Sequence, residues 1–566
     1  MPLLKRLLAW FQPDTTRPLT QAWLAALWMG LLANWPLWKQ LQSLPEIAGA
    51  RGVVFTVAFA GMVTAATGAL LSLLAWPRLI KVLLVVLLLA SAALAHFIGS
   101  YGIVFDPTMV VNMAQTDARE TRDLLSWRLL ISLLLLGALP AWWLLRRPRA
   151  PAQALVKRVG GNLAGFGLGI AAMVLLALGV FADLSSTMRN YKSIRYMVTP
   201  LNAVYSLSSA ALRGQAAPSG PPAVIGADAH LLPRAEGAKP PLLLFVVGET
   251  ARAMNFSLNG YERPTNPELA RLPATSLVSL RQVSSCGTAT AASLPCMFSP
   301  LGRSAFVDLK GTQENLLDVL QRAGVAVLWL DNQSGCKGLC DRVPNSPTSK
   351  LPQGAAPLPA GLCRKDELGE EECFDESLLH DLDKRIAALD PERVKRGLVL
   401  VMHQMGSHGP AYFKRSPADL KPFQPECKSN ALQQCPREQV VNAYDNTIAT
   451  TDRLLARSIA WLRTQASRFD TGMLYVSDHG ESLGENGLYL HGMPYAMAPK
   501  EQTHVPMVLW VPEDGGLAAS LKPGCLATLR DKPASHDNLF HTAMGWVGAR
   551  ADVYKADWDL LAGCRR

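Results

Sequence analysis

Long runs of apolar residues dominate the first 185 positions of the chain. Five of these runs approach the roughly 20 residues that a helix needs to cross a bilayer: 20–38, 53–75, 80–102, 127–145 and 162–183. The first run is the weakest, because Asn34 and Pro36 interrupt it. We therefore expect residues 1–185 to form a domain of five transmembrane helices in a lipid bilayer.

The basic residues between these runs predict the orientation. The N-terminus and the second and fourth connections carry ten Lys and Arg residues, whereas the other two connections carry five. Basic loops stay in the cytoplasm, so everything after the fifth crossing should lie outside it. Residues 186–240 then read as a surface helix at 188–212, followed by an exposed linker rich in Pro, Gly and Ala at 214–241.

Beyond residue 241 short apolar runs alternate with helical patterns, which is typical of a parallel α/β sheet covered on both faces. The runs are Leu242–Val247, Val325–Leu330, Gly397–Met402 and Met473–Val476. Polar residues follow each run, and ligands bind beyond the carboxyl ends of strands in such sheets. We expect residues 241–566 to be a catalytic domain whose site contains Glu249, His403, His408, Asp478, His479 and His491.

Carboxylates together with imidazoles suit zinc or manganese better than calcium, which prefers oxygen ligands alone. Each residue also has a simpler explanation. A single strand-end Glu is usually a helix cap, and a single His is more often only hydrogen-bonded. The metal hypothesis therefore depends on the joint pattern, in which four strand ends agree and Asp478 and His479 are adjacent.

A nucleophile is expected in the small-residue loop at 284–298, which leads into a predicted helix. A hydroxyl at a helix N-terminus lies near free N–H groups that favour a bound phosphate. Thr288, Thr290 and Ser293 are all candidates, and an N-cap threonine is the simpler explanation. The residue pattern alone does not choose among them.

Composition supports the membrane interpretation. Hydrophobic residues make up 49% of the chain, charged residues only 18%, and the net charge is +10. Many basic residues flank the apolar runs and none forms a stretch interleaved with aromatic residues, so we expect no nucleic-acid partner.

All ten cysteines lie at or beyond residue 286. An even number on one side of a membrane predicts five disulfides in an oxidising compartment. Sequence does not fix the connectivity, and pairing of neighbours is the simplest choice: Cys286 with Cys296, Cys336 with Cys340, Cys363 with Cys373, Cys427 with Cys435, and Cys525 with Cys564.

Several long motifs resemble the lipid A phosphoethanolamine transferases, a family that includes the mobile colistin-resistance enzymes. The motifs are Val-Val-Gly-Glu-Thr at 246–250, Asn-Gly-Tyr-Glu-Arg at 259–263, Ser-Cys-Gly-Thr-Ala-Thr-Ala at 285–291, Pro-Cys-Met-Phe at 295–298, 403–412, 477–487 and His-Gly-Met-Pro at 491–494. The resemblance extends over nearly the whole chain. It implies five membrane helices and a periplasmic domain of the alkaline phosphatase/sulfatase type, anchored in the bacterial inner membrane.

The resemblance also implies roles for single residues. The zinc ligands would be Glu249, Asp478, His479 and the nucleophile Thr290, while His408 and His491 would serve the donor phosphate or a second zinc. Residues expected to bind substrate are Asn112, Thr116, Glu120, Gln333, Lys337 and Glu481. Gln333 stands where the family has Asn, and the first three of these residues, spaced by four, are expected on one helical face.

The implied reaction is ping-pong: Thr290 takes phosphoethanolamine from phosphatidylethanolamine and passes it to a phosphate of lipid A. The added amines would weaken binding of cationic peptides such as polymyxin. Three alternatives remain: a transferase acting on lipopolysaccharide core sugars, a membrane-anchored phosphodiesterase or sulfatase, and an anchored binding module without activity. The loop at Cys286 lacks the sulfatase maturation signature Cys/Ser-x-Pro-x-Arg.

Overall fold

The computed structural model describes residues 14–47, 49–116, 118–148, 153–215, 220–348, 356–365 and 371–566. The chain forms two compact units. The membrane unit comprises residues 1–110 and 125–211, and the catalytic unit comprises 111–124 and 212–566. The catalytic unit therefore starts before residue 241 and includes residues 111–124 of the connection between the third and fourth predicted spans.

The first part of the chain is helical. Its helices are α1 (Pro18–Trp28), α2 (Trp35–Gln42), α3 (Gly49–Leu73), α4 (Ile80–Tyr101), α5 (Pro107–Gln115), α6 (Ala118–Asp123), α7 (Trp127–Ser132), α8 (Leu139–Arg146), α9 (Leu155–Gly179), α10 (Phe181–Asn190), α11 (Lys192–Tyr196) and α12 (Leu201–Gln215). Within the described residues four helices are long and apolar enough to cross a membrane: Gly49–Leu73, Ile80–Tyr101, Trp127–Arg146 and Leu155–Gly179. The third consists of α7 and α8 joined by the π-helical segment Leu133–Ala138.

The first predicted span differs from the expected continuous helix. Its apolar helix covers only Pro18–Ala33, and Asn34 separates it from α2. The Asn34 amide donates to the carbonyl oxygens of Met29 and Thr199 at 2.9 and 2.6 Å. Within the described residues the first predicted span is therefore too short to count as a membrane-crossing helix by length alone.

The predicted surface helix at 188–212 is not continuous, since it is divided among α10, α11 and α12. Tyr191 separates the first two, and Pro200, which disfavours helical backbone in the residue before it, precedes the third. From residue 220 onward the predicted linker is mostly exposed, while Ile225 and Leu231 are partly buried against the core of the catalytic unit. Residues 216–219 lie outside the described part of the chain.

The strands of the catalytic unit are β1 (His230–Leu231), β2 (Pro241–Gly248), β3 (Leu277–Leu280), β4 (Val283–Ser284), β5 (Ala326–Asp331), β6 (Asn345–Pro347), β7 (Cys363–Lys365), β8 (Glu371–Cys373), β9 (Leu398–His403), β10 (Asp470–Ser477), β11 (Ser482–Leu483), β12 (Tyr489–Leu490), β13 (Met507–Trp510), β14 (Ala534–Ser535) and β15 (Ala549–Arg550). Its later helices are α13 (Thr290–Met297), α14 (Arg303–Val307), α15 (Leu316–Arg322), α16 (Leu382–Ala387), α17 (Pro391–Val394), α18 (Arg437–Gln465), α19 (Lys500–Thr503), α20 (Gly516–Ser520), α21 (Cys525–Thr528) and α22 (Leu539–Trp546).

A seven-stranded sheet in the order β3-β13-β10-β2-β9-β5-β6 forms the centre of the catalytic unit. The four predicted strands are its β10, β2, β9 and β5, which are parallel neighbours. β13 runs antiparallel to both β10 and β3, so the sheet is mixed rather than wholly parallel. Nearly every residue of the central strands is buried, as expected for a sheet covered on both faces.

Five disulfides are present, and all are in the catalytic unit. They join the neighbouring cysteines as expected from their spacing: Cys286–Cys296, Cys336–Cys340, Cys363–Cys373, Cys427–Cys435 and Cys525–Cys564.

Candidate active site

Adjacent parallel strands bring two acidic residues together. Gly248 at the end of β2 is paired in register with Ser477 at the end of β10. The residues that follow, Glu249 and Asp478, therefore leave the sheet side by side. Both carboxylates are buried.

Glu249, Asp478 and His479 form a compact cluster in which one ligand atom from each lies within 4.8 Å of the others. His479 Nε2 is 3.4 Å from Glu249 Oε1 and 3.4 Å from Asp478 Oδ2. His479 Nδ1 lies 2.9 Å from the carbonyl oxygen of Gly480. This bond places the ring proton on Nδ1 and leaves the Nε2 lone pair facing the carboxylates.

This cluster fits a divalent transition metal. Burial, and then the charge of Asp478, raise the pKa of Glu249 well above its usual range. Asp478 Oδ2 has no hydrogen-bond partner among the described residues. Two buried carboxylates this close repel each other when both are ionised, and a bound cation would remove that cost. Carboxylate oxygens and an imidazole nitrogen are also ligands that zinc takes in proteins.

Thr290 places a hydroxyl at the same cluster. It is the first residue of α13, and its Oγ1 donates toward Glu249 Oε1 and Oε2 at 3.2 and 3.1 Å. The same oxygen is 3.4 Å from His479 Nε2. A hydroxyl in this position could share a cation held by the cluster and become a nucleophile.

The other two candidate hydroxyls bind backbone instead. Thr288 Oγ1 donates to the carbonyl oxygen of Met493 at 2.6 Å. Ser293 Oγ donates to the carbonyl oxygen of Asp478 at 2.6 Å and accepts from the N–H of Gly287. Tertiary structure thus separates the three candidates that the sequence leaves equal.

His536 holds the loop at 284–298, which carries the candidate nucleophiles, against the sheet, and it was missed by sequence reasoning. The N–H of Cys286 donates to His536 Nδ1 at 3.0 Å, and His536 Nε2 bonds the carbonyl oxygen of Ser477 at 2.9 Å. Burial lowers the pKa of His536 to about 4, so the ring is neutral. The pattern Ser535-His536-Asp537-Asn538 indicates only a helix cap, and it contains no signal for this contact.

A second group of polar residues lies beside the first. The ring centroid of His491 is 4.4 Å from that of His479 and 5.4 Å from that of His408. Glu481 Oε2 is 3.4 Å from His491 Nδ1. Burial, and then the neighbouring His491, hold the pKa of His408 well below its usual value, so His408 is in the neutral form that accepts a proton or binds a cation.

Gln333 and Glu120 complete the cluster. Gln333 Nε2 donates to Glu120 Oε1 at 3.1 Å and to Glu249 Oε2 at 3.3 Å. Glu120 Oε1 also lies 3.8 Å from His408 Nε2. The structure therefore brings a residue from the segment 111–124 to the strand-end site.

The other expected substrate residues either lie in the segment 111–124 or contact it. Lys337 Nζ donates to the carbonyl oxygen of Gln115 at 3.0 Å. Asn112, Thr116 and Glu120 do not share one helix, contrary to expectation, because α5 ends at Gln115. The Thr116 hydroxyl donates back to the carbonyl oxygen of Asn112 at 2.9 Å, a local bond that competes with helix continuation.

Arg252 is a further residue that sequence reasoning missed. Its Nη2 lies 3.0 Å from Glu485 Oε1, and the two side chains are 5% and 18% exposed. Glu485 lies in the β11–β12 hairpin, which has Glu481 directly before it and His491 directly after it. The ion pair therefore fixes the hairpin that carries two site residues.

Comparison with known families adds two matches. A family described as Sulfatase matches residues 241–549, and one described as Phosphoethanolamine transferase EptA/EptB matches residues 63–213. The chain is 38% identical over 557 residues to phosphoethanolamine transferase EptA of Salmonella typhimurium, covering 96% of this chain and 97% of that protein. It is also 38% identical over 539 residues to phosphatidylethanolamine transferase Mcr-1 of Escherichia coli, covering 94% and 95%.

Among solved structures, the fold is similar to the integral membrane lipooligosaccharide phosphoethanolamine transferase A (EptA) of Neisseria meningitidis. The TM-score is 0.88 at 32% sequence identity, and the match covers 96% of this chain and 98% of that one. The similarity therefore includes both units.

Proposed function

Because the chain belongs to the phosphoethanolamine transferase family, we propose that it transfers phosphoethanolamine from phosphatidylethanolamine to a phosphate group of lipid A. The observation that carries the proposal is the Thr290 hydroxyl, which lies 3.1 Å from a carboxylate oxygen of Glu249 inside the buried cluster. A covalent phosphoethanolamine-Thr290 intermediate connects the two half-reactions.

We assign the metal site to Glu249, Asp478, His479 and Thr290, with zinc as the metal. Zinc held there would lower the pKa of the Thr290 hydroxyl and would neutralise charge on the phosphate. The chain's own contribution is orientation. Glu249 accepts a hydrogen bond from the Thr290 hydroxyl. Asp478 Oδ1 accepts hydrogen bonds from the N–H groups of Thr250 and His479, which leaves Asp478 Oδ2 directed at the cluster.

In the first half-reaction Thr290 Oγ1 attacks the phosphorus of phosphatidylethanolamine. A P–O bond to Thr290 forms, the P–O bond to diacylglycerol breaks, and the proton that Thr290 gives up leaves on diacylglycerol. His408 is held neutral by burial, so we assign delivery of this proton to His491, which Glu481 orients.

In the second half-reaction a phosphate oxygen of lipid A attacks the same phosphorus, the P–O bond to Thr290 breaks, and the proton of the attacking phosphate group returns to Thr290. The donor and the acceptor are both lipids, so neither has to leave the membrane. The added ammonium groups reduce the negative charge of lipid A, and binding of cationic peptides such as polymyxin weakens accordingly.

Glu120, Gln333 and Lys337 are the residues we assign to donor binding, with Asn112 and Thr116 in the same segment. The carboxylate of Glu120 suits the ammonium group of ethanolamine. Gln333 bridges Glu120 and Glu249, so it links the donor headgroup to the metal cluster.

For the membrane unit we propose five crossings of the bacterial inner membrane. Pro18–Ala33 and α2 together form the first, in addition to the four long helices. An odd number of crossings, with a basic N-terminus in the cytoplasm, places the catalytic unit in the periplasm, where disulfides persist.

The test follows lipid A by mass spectrometry in cells that express the wild type or a variant. We expect a gain of one phosphoethanolamine group with the wild type and none with Thr290→Ala. Thr288→Ala is the matched control, because that hydroxyl binds only a backbone carbonyl, and it should retain transfer. Activity that survives in Thr290→Ala would refute the assignment of the nucleophile.

Purified enzyme separates the remaining alternatives. Chelation should abolish transfer and zinc should restore it. If the core sugars carry the label and lipid A is unchanged, the acceptor is the lipopolysaccharide core. Free phosphoethanolamine, released without labelling of any acceptor, would identify a phosphodiesterase.

A further inference from the structure

A buried carboxylate joins the segment 111–124 to the rest of the catalytic unit. Asp123 Oδ1 accepts from Lys414 Nζ at 2.9 Å, and Oδ2 accepts from Arg415 Nη2 at 2.7 Å. Its carbonyl oxygen accepts from Asn430 Nδ2 at 2.8 Å. The side chains of Asp123 and Arg415 are only 4% and 7% exposed, so this pair is largely shielded from water.

Arg415 also reaches the active site. Its Nε donates to the carbonyl oxygen of His408 at 3.2 Å. One guanidinium group thus holds both the end of α6 and the backbone of His408. Three residues before Asp123, on the same helix, Glu120 faces Gln333 and the His408 ring.

The pair does not serve the stability of α6 itself. Asp123 is the last residue of that helix, where a negative charge opposes the helix dipole. A buried carboxylate at this position is favourable only when cations compensate it, and removal of one partner leaves the other charge buried and unpaired. The arrangement therefore makes the position of α6 depend on Lys414 and Arg415.

We infer that Asp123 is a positioning residue for the transfer reaction: it fixes α6 on Arg415 so that Glu120 meets Gln333 and His408. This inference rests on the proposed function, in which Glu120 binds the donor. Asp123 itself touches no substrate and acts through Glu120.

The decisive experiment compares Asp123→Asn, Glu120→Gln and the double variant in the full-length zinc-loaded enzyme. Asp123→Asn should lower kcat/KM for phosphatidylethanolamine by about tenfold or more, since it disrupts a buried charge network. In the Glu120→Gln background, Asp123→Asn should lower kcat/KM by less than about twofold, because the effects of mutations in residues that act as one unit are not additive. Equal losses in both backgrounds, or no loss in the first, would overturn the inference.

Hydrogen exchange gives a readout that does not depend on activity. Amides of residues 111–124 should exchange faster in Asp123→Asn, while the sheet of the catalytic unit stays protected. Asp318→Asn is the matched control, since Arg342 bonds both Asp318 oxygens at 2.7 Å elsewhere in this unit; it should leave exchange in 111–124 unchanged. Unchanged exchange in Asp123→Asn would refute the positioning role, whereas an inactive wild type would refute only the proposed function.

Discussion

His536 offers a direct test of how the nucleophile loop is held. The ring accepts from the N–H of Cys286 and bonds the carbonyl oxygen of Ser477. It therefore connects the residue four positions before Thr290 with the residue directly before Asp478. His536→Ala removes this bridge and leaves the proposed metal ligands in place.

The expected cost follows from the two groups that lose their partner. Each buried polar group left unsatisfied costs about 1–3 kcal/mol, and the space left by the ring adds to this. We expect the free energy of unfolding of the catalytic unit to fall by about 4 kcal/mol. A loop shift of about 1 Å can cost about a hundredfold in rate, so transfer should fall to a similar degree.

Pulse proteolysis in urea of the detergent-solubilised chain measures the stability, and lipid A labelling measures the transfer. His541→Ala is the control, because His541 is also fully buried and accepts one backbone N–H, from Lys555. It should lose stability but keep transfer. Wild-type rates in His536→Ala, under conditions where it stays folded, would refute the bridging role.

The same residue predicts a pH dependence. Burial lowers the pKa of His536 from 6.5 to about 4, so between these values the unfolded chain binds more protons than the folded one. Stability is therefore complete above pH 6.5 and falls as the pH drops toward 4, by about 3 kcal/mol. This part of the pH dependence should be absent in His536→Ala, and a variant with an unchanged pH profile would contradict it.

Serine substitution of Cys525 and Cys564 should lower the free energy of unfolding by about 4 kcal/mol, because their bond spans 39 residues. The shortest disulfide spans only four residues and should contribute about 2 kcal/mol, so equal losses in urea unfolding would contradict the loop-entropy argument. Glu485→Gln should leave the buried Arg252 charge unpaired and lower transfer about tenfold, while zinc content measured by mass spectrometry stays unchanged.

The membrane unit shows what hydrophobic pattern can and cannot predict. The last four apolar runs match long helices, with the largest difference at the last one, which was predicted from 162 and begins at Leu155. A continuous apolar segment has few other stable states in lipid. The first run contains Asn34, whose amide bonds the carbonyl oxygens of Met29 and Thr199. A contact between residues 165 positions apart cannot be read from local periodicity.

In the catalytic unit, the position of the strand-end site was predictable from the sequence, whereas the packing of the connecting segments was less so. The parallel order of β10, β2, β9 and β5 brings Glu249 and Asp478 together, as the strand-end argument requires. The Pro and Gly content of 220–240 predicts an exposed linker, and Val224 and Leu232 are 63% and 44% exposed. Ile225 and Leu231 are nevertheless partly buried against the core, a contact that only the folded structure supplies.

The choice of Thr290 marks the limit of the sequence argument. Loop composition places Thr288, Thr290 and Ser293 equally well for a nucleophile. What separates them is where the other two hydroxyls find acceptors, namely the carbonyl oxygens of Met493 and Asp478. Both acceptors lie more than 180 residues away along the chain. Thr290 is the candidate nucleophile because tertiary hydrogen bonds engage the hydroxyls of Thr288 and Ser293.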